Sequence, residues 1–189
     1  DEMRRHALGE CFDEQPLPAL DSEAIDFRLA SESFAPVRNL ERGDLVTLRL
    51  LTQHQGRAVP TIGGLLLFGR DRLPHFPDAW IQVGRFAGAD YAQRGAPIRI
   101  ALYDDRLEIE SPGLLPFGLV VEDLRQGISR LRNRVIGRVF HELGLIEQWG
   151  SGIQRMTAAC REAGLPEPQL EEIGLRFRVT LRCVPVGPP

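Results

Sequence analysis

The chain contains no lysine: all 23 of its basic residues are arginine. A Walker A loop sets a lysine ammonium on the β- and γ-phosphates, so this chain holds no P-loop ATPase or helicase motor. Schiff-base chemistry, which needs a lysine amine, is excluded with it. Cysteine is scarce as well. Cys11, Cys160 and Cys183 are odd in number and widely spaced, with no CxxC pair and no neighbouring histidine pair. Reduced thiols are expected, and no zinc site. His6, His54, His75 and His141 share no ligand spacing, so no metal-ligating residue is assigned. Long apolar runs are missing too. The longest, around Leu65-Leu66-Leu67-Phe68 and Leu119-Val120-Val121, are far too short to span a bilayer. Asp1-Glu2-Met3-Arg4-Arg5 leads into acidic sequence without an apolar core, so no signal peptide is expected and the expected location is cytoplasmic. The net charge of −3 argues against a surface uniformly adapted to nucleic acid, while leaving room for a local basic patch.

What is present is ordinary in bulk. With 189 residues, 43% hydrophobic and 26% charged, the chain has room for one substantial domain and a small appendage. Residues 1–35 carry nine acidic residues against three arginines and are interrupted by Pro16 and Pro18. They read as a solvated acidic linker, with the first domain boundary at 43. From Asp44, a plausible N-cap, Leu45, Leu48 and Leu51 fit a short helix closed by Gly56. Thr61 to Phe68 is a glycine-bearing apolar run whose periodicity fits a buried strand or a helix packed through small residues. Trp80 to Phe86 is apolar on both faces and reads as a central strand.

Further on, Ile98, Ile100 and Leu102 alternate with polar or small residues, as do Leu107 and Ile109 after Asp104-Asp105. That pattern predicts a β-hairpin. Its second strand runs into Ser111-Pro112-Gly113, where proline and glycine should stop the ladder. This is either an ordinary turn or the glycine loop of a ligand site at a sheet end. Asp104 and Asp105 are expected to bond backbone in the turn. A short helical piece from Leu119 to Leu124 ends at Gly127. Asn133 is placed to cap a helix carrying Val135, Ile136, Val139, Phe140 and Leu143, closed by Gly144. A second helix follows Gly150-Ser151-Gly152, with Ile153, Met156, Thr157 and Cys160 on one face, and stops at Gly164-Leu165-Pro166. Phe177, Val179 and Leu181 alternate with arginines in a half-exposed strand, and residues 184–189 form the tail. No repeat or catalytic triad is legible.

Four stretches in this order carry a resemblance: Pro60 to Gly69, Asp104 to Pro116, Arg132-Asn133-Arg134, and Gly144 to Ile153. Together they make the chain resemble the RecG-related transcriptional regulators of bacteria. These join a Schlafen-type AlbA-like domain to a histidine-kinase-like (GHKL, Bergerat-fold) ATPase domain. The resemblance spans residues 58–182 and implies an α+β two-layer sandwich over 44–183, with a mostly antiparallel sheet and helices on one face. Residues 1–43 would be the end of the preceding AlbA-like domain. By that resemblance Ser111 and Gly113 lie where the family reads adenine, and Gly150, Ser151 and Gly152 where a glycine-rich lid meets a helix N-terminus and holds phosphate. Glycines there admit backbone N–H groups to an anion. ATP with magnesium is the implied ligand. The chain departs from the family twice. Ser111 replaces a carboxylate, and the helix bearing the magnesium-binding Asn and the catalytic Glu is not in the sequence. It belongs just before Asp90-Tyr91, where Phe86-Ala87-Gly88 runs straight into Ala89. Either the chain has lost it, or a segment is missing near 88–90. No catalytic residue is therefore assigned.

Arg125, Arg130, Arg132, Arg134 and Arg138 fall within fourteen residues with few acids nearby in sequence. Arg134 and Arg138 stand one helical turn apart, and arginine forks suit phosphate. Arg130, Arg132, Arg134 and Arg138 are candidates for a nucleic-acid or nucleotide-phosphate contact, or a solvated helix face. Trp149 would pack on a base or in the core. The expected function is a nucleotide-binding or degenerate regulatory domain of a transcriptional regulator, with DNA contacted mainly through a domain not present here. An active ATPase acting with DNA, and a homo-oligomerisation scaffold without ligand, are the alternatives.

Overall fold

The computed structural model describes residues 11–77, 79–85, 97–146 and 150–183. In chain order the helices are α1 (Phe27–Phe34), α2 (Asp44–Thr47), α3 (Ile62–Phe68), α4 (Val121–Arg125), α5 (Arg134–Glu142) and α6 (Ser151–Glu162). The strands are β1 (Leu51–His54), β2 (Arg57–Pro60), β3 (Ile81–Arg85), β4 (Ile98–Leu102), β5 (Arg106–Pro112), β6 (Gln169–Ile173) and β7 (Arg176–Arg182). This is an α+β fold. The chain divides into two compact units, Asp1–Pro77 with Leu131–Gln148 and Asp78–Arg130 with Trp149–Pro189. No boundary falls at residue 43. The stretch that holds α5 belongs with the N-terminal residues rather than with the hairpin.

In the first unit the acidic residues of the expected linker act as helix caps. Asp26 Oδ1 accepts the N–H groups of Arg28 and Leu29, both at 3.1 Å, and starts α1. That helix buries Ala30 and Phe34 completely, with the Phe34 ring 6.5 Å from that of Phe68. Asp21 Oδ1 accepts the Glu23 amide at 2.9 Å in the same way. A solvated linker is ruled out for this stretch, because its apolar residues are core and its carboxylates satisfy helix N–H groups that have no other partner.

Asp13 has the largest part. Its side chain is 0% exposed. Oδ1 accepts the Arg134 amide at 2.9 Å, and Oδ2 accepts those of Val135 at 2.7 Å and Ile136 at 3.0 Å. The carboxylate thus caps α5 from 121 residues away. Asn133, the expected cap, holds the N-cap position but makes no side-chain bond there. Beyond the cap, Val135 and Val139 are fully buried in a core with Phe34, Leu48, Leu50 and Phe68.

The rest of the first unit departs from the expected helix at 44–56. Helix α2 is only four residues long, and Asp44 reaches back to the Glu41 amide at 2.7 Å and to Arg38 at 2.9 Å. These partners, the amide first, hold the Asp44 carboxyl below its usual range. Gln55 and Gly56 take positive φ values of 49° and 77° and close a two-residue hairpin between β1 and β2. Thr61 then settles the glycine-bearing run as helix. Its Oγ1 accepts the Gly64 amide at 3.0 Å and donates to the Arg49 carbonyl at 2.7 Å, nucleating α3.

The second unit is built on a five-stranded sheet in the order β3-β4-β5-β7-β6. The pair β3/β4 is parallel and the others are antiparallel. The predicted hairpin is β4–β5. Strand β3 is at the edge rather than the centre. It has one neighbour, and Ile81 and Val83 are 58% and 70% exposed. Apolar side chains on both faces therefore do not mark a central strand here.

On one face the register aligns Arg99, Glu110, Arg178 and Glu171 across four strands. Glu110 takes Arg99 at 2.8 Å on one oxygen and the Arg178 Nε at 2.6 Å on the other, and Arg99 and Glu110 are both buried. The β7 arginines expected to face water are held in this ladder. Asp104 and Asp105 likewise pair with guanidiniums, Arg85 at 3.7 Å and Arg106 at 2.9 Å.

Replacing Asp13 tests the cap. Asp13→Ala leaves three amides without an acceptor and should cost about 2–4 kcal/mol of unfolding free energy in urea, with Asp13→Asn costing less. Burial pushes the Asp13 carboxyl above its ordinary value, and the three amides offset that only in part. Its stabilising contribution is therefore full below the ordinary carboxylate range and falls as pH rises through the folded value. The stability gap between wild type and Asp13→Asn should narrow over that rise.

Candidate functional site

The second unit brings its glycine-containing loops to the ends of strands and helices. Strand β5 does not stop at Ser111. The ladder continues through Ser111 opposite Phe177 and Pro112 opposite Arg176. Gly113 ends it, at a φ of 94°, with its N–H donating to the Leu175 carbonyl at 2.8 Å. Two residues later the Leu115 N–H donates to Glu172 Oε1 at 2.6 Å. Ser111 and Gly113 are thus fastened to β7 and to the β6–β7 turn. The period of two puts Ser111 on the sheet face of Leu107 and Ile109, opposite the arginine ladder.

Gly150, Ser151 and Gly152 form the start of α6, as expected. Gly150 is the N-cap residue, at a φ of 91°, and contributes no side chain to the cap. Only glycine fits there, because an added Cβ would stand 1.9 Å from the Gly127 carbonyl oxygen. Gly127 itself has a φ of 84° and borders the Gln154 side chain. Gly127 ends α4 in the sequence reading, with no role at the site. Its signal was a helix-terminating glycine, and what could not be seen was its meeting with Gly150. Gly152 is open, with nothing within 4 Å of an added Cβ. The arrangement is a glycine-walled helix N-terminus, a setting that favours an anion through backbone N–H groups and the helix dipole.

The arginine cluster does not form one patch. Arg130 belongs to the second unit, whereas Arg132, Arg134 and Arg138 belong to the first. Arg130 Nη1 donates to the Phe117 carbonyl at 3.0 Å, and Arg134 Nη1 lies 3.8 Å from Glu14. Arg138 Nη1 donates to the Thr47 carbonyl at 3.4 Å, and Arg125 pairs with Glu167 at 3.6 Å. Few acids were near in sequence, but the partners come from far along the chain. Trp149 and the junction at 88–90 lie outside the described residues.

Two glycines of the same loop should respond oppositely to alanine. Gly150→Ala meets both a positive φ and a carbonyl and should lower the unfolding free energy by about 1–3 kcal/mol. Gly152→Ala, in open space within the first helical turn, should change it by under about 1 kcal/mol, in the stabilising direction. Equal losses in chemical denaturation would contradict the geometry.

Comparison with known proteins bears on the second unit. Residues 95–181, just under half of the chain, match the model of a family described as "Putative ATP-dependent DNA helicase recG C-terminal". Among solved structures, the DIP2311 protein from Corynebacterium diphtheriae matches 98% of this chain with a TM-score of 0.71 at 18% identity. The chain spans 50% of that structure's length, and the likeness is one of fold. The large ribosomal subunit protein uL16c of Amborella trichopoda is 28% identical over 120 residues, 60% of this chain and 87% of that protein. The family match supports a RecG-related, ATPase-like C-terminal domain over residues 95–181, the stretch that runs from just before β4 to the end of β7.

Proposed function

We propose that the second unit binds a nucleotide and serves as the histidine-kinase-like regulatory module of a RecG-related transcriptional regulator. One observation carries the reading. The family match spans 95–181 and includes α6, whose glycine-walled N-terminus has no side-chain cap. The amides at the start of α6 would meet the phosphates, with Gly152 leaving room for their approach. Ser111 would offer the base one hydroxyl, a donor and acceptor of ordinary strength, in place of a carboxylate's charge-assisted bond. Magnesium needs oxygen donors, and among the described residues no three His, Cys, Asp or Glu side chains gather to hold a metal. No hydrolytic step follows from the residues in view. The proposed role is response to nucleotide, with DNA contacted chiefly through an AlbA-like domain outside these residues.

Thermal unfolding with Mg-ATP tests this. A ligand at about 100 times its dissociation constant adds about 2.7 kcal/mol to the native state, a rise of several degrees for a domain of this size. Gly152→Asp, which puts a carboxylate beside the phosphate position, should keep the nucleotide-free midpoint and lose the rise. An unmoved wild-type midpoint at millimolar Mg-ATP overturns the reading. Phosphate release alongside binding would replace the binder by the ATPase.

A further inference from the structure

The path of the chain between Gly127 and Gly150 has a use beyond holding a ligand. After Arg130 the chain leaves the second unit, and it returns at Trp149. On either side of this excursion Gly127 and Gly150 are in close backbone contact, so the excursion starts and finishes at one place. In its middle is α5, which is fixed at both ends within the first unit. Asp13 holds the amides of Arg134, Val135 and Ile136. At the other end Arg38 Nη2 donates to Glu142 Oε2 at 3.1 Å. Between these, Val135 and Val139 are buried, and α3 approaches closely enough that a Cβ on Gly63 would lie 2.7 Å from the Val135 Cβ.

The outgoing connection is stitched along its length. The Ile128 N–H donates to the Asp123 carbonyl at 2.9 Å, Arg130 is tied to the Phe117 carbonyl, and the Leu131 side chain covers Gly137. After α5, the Gly144 and Leu145 amides donate to the carbonyls of His141 and Phe140 at 3.0 and 2.8 Å. These bonds take up slack that free connections of this length would have.

We propose that the 131–148 excursion is a tether that couples the Gly127–Gly150 contact in the second unit to the Asp13 clamp on α5 in the first. A change at the glycine pair then reaches α5 through the stitched connections, and loosening α5 reaches the glycine pair by the same route. Coupling of this kind is reciprocal. It rests on the nucleotide reading only for the identity of the signal: a phosphate seated at α6 would be felt at Asp13.

Hydrogen exchange of the full chain tests the coupling without any ligand. In Asp13→Asn the amides of residues 126–128 and 150–153 should exchange about tenfold faster, and in Gly150→Ala those of residues 134–136 should do the same. Asp26→Asn, which uncaps α1 in the first unit, is the control and should leave residues 150–153 unchanged. Should Asp13→Asn fail to fold, Glu142→Gln loosens the other end of α5 and should give the same remote response. Variants that quicken exchange only beside themselves overturn the tether, and so does an equal rise at residues 150–153 in Asp26→Asn. Mg-ATP is then added to the wild type. Slowing at residues 150–153 and at 134–136 supports both readings. Cross-reporting variants with no Mg-ATP effect keep the tether and remove the nucleotide. Slowing at residues 150–153 alone keeps the nucleotide and removes the tether.

Discussion

The first unit depends on one buried carboxylate. Asp13 accepts three consecutive amides at the head of α5, and without them that helix would enter the core with unsatisfied donors. Burying a charge is costly, and its raised pKa shows that the cost is not fully recovered. In return, a helix that comes late in the chain is fixed to a turn at its start. The rest of the unit is arranged around that pairing: α1 and α3 bring Phe34 and Phe68 to the core that Val135 and Val139 complete.

The second unit uses charge in another way. Its sheet has one face of alternating guanidiniums and carboxylates, and Glu110 is shared by Arg99, Arg176 and Arg178. Arginine suits this role, because its planar fork serves two acceptors and its charge does not titrate in the accessible range. The absence of lysine, which in the sequence only excluded chemistries, has a structural counterpart here. Every cation in the ladder is of the kind that keeps its proton.

What was legible in the sequence is what local rules govern. The β4–β5 hairpin follows from alternation around Asp104-Asp105. The limits of α6 follow from Gly150 before it and Gly164 after it. Thr61 was a readable cap beside an ambiguous apolar run. Partners distant in the chain were not legible. Asp13 looked like one acid among many, because nothing in the spacing of residues 1–35 points to a helix at 134. The arginines of 125–138 looked unpaired, because Glu14 and Glu167 lie outside any local window. Strand β6 carries Glu171 and Glu172 side by side and so lacks the alternation that marks a half-buried strand. At the candidate site the glycines were visible one by one. That Gly127 faces Gly150 is a matter of tertiary structure.

The contact between Gly127 and Gly150 also bears on how such a chain is assembled. Two points 23 positions apart in sequence touch in space, with a helix of the other unit between them. A module whose cut ends already meet accepts an insertion without losing its own frame, since closing the gap asks little of its backbone. The second unit is therefore a host, and the 131–148 stretch is its guest. Lineages could lengthen, shorten or exchange that guest while the sheet and the glycine pair stay as they are.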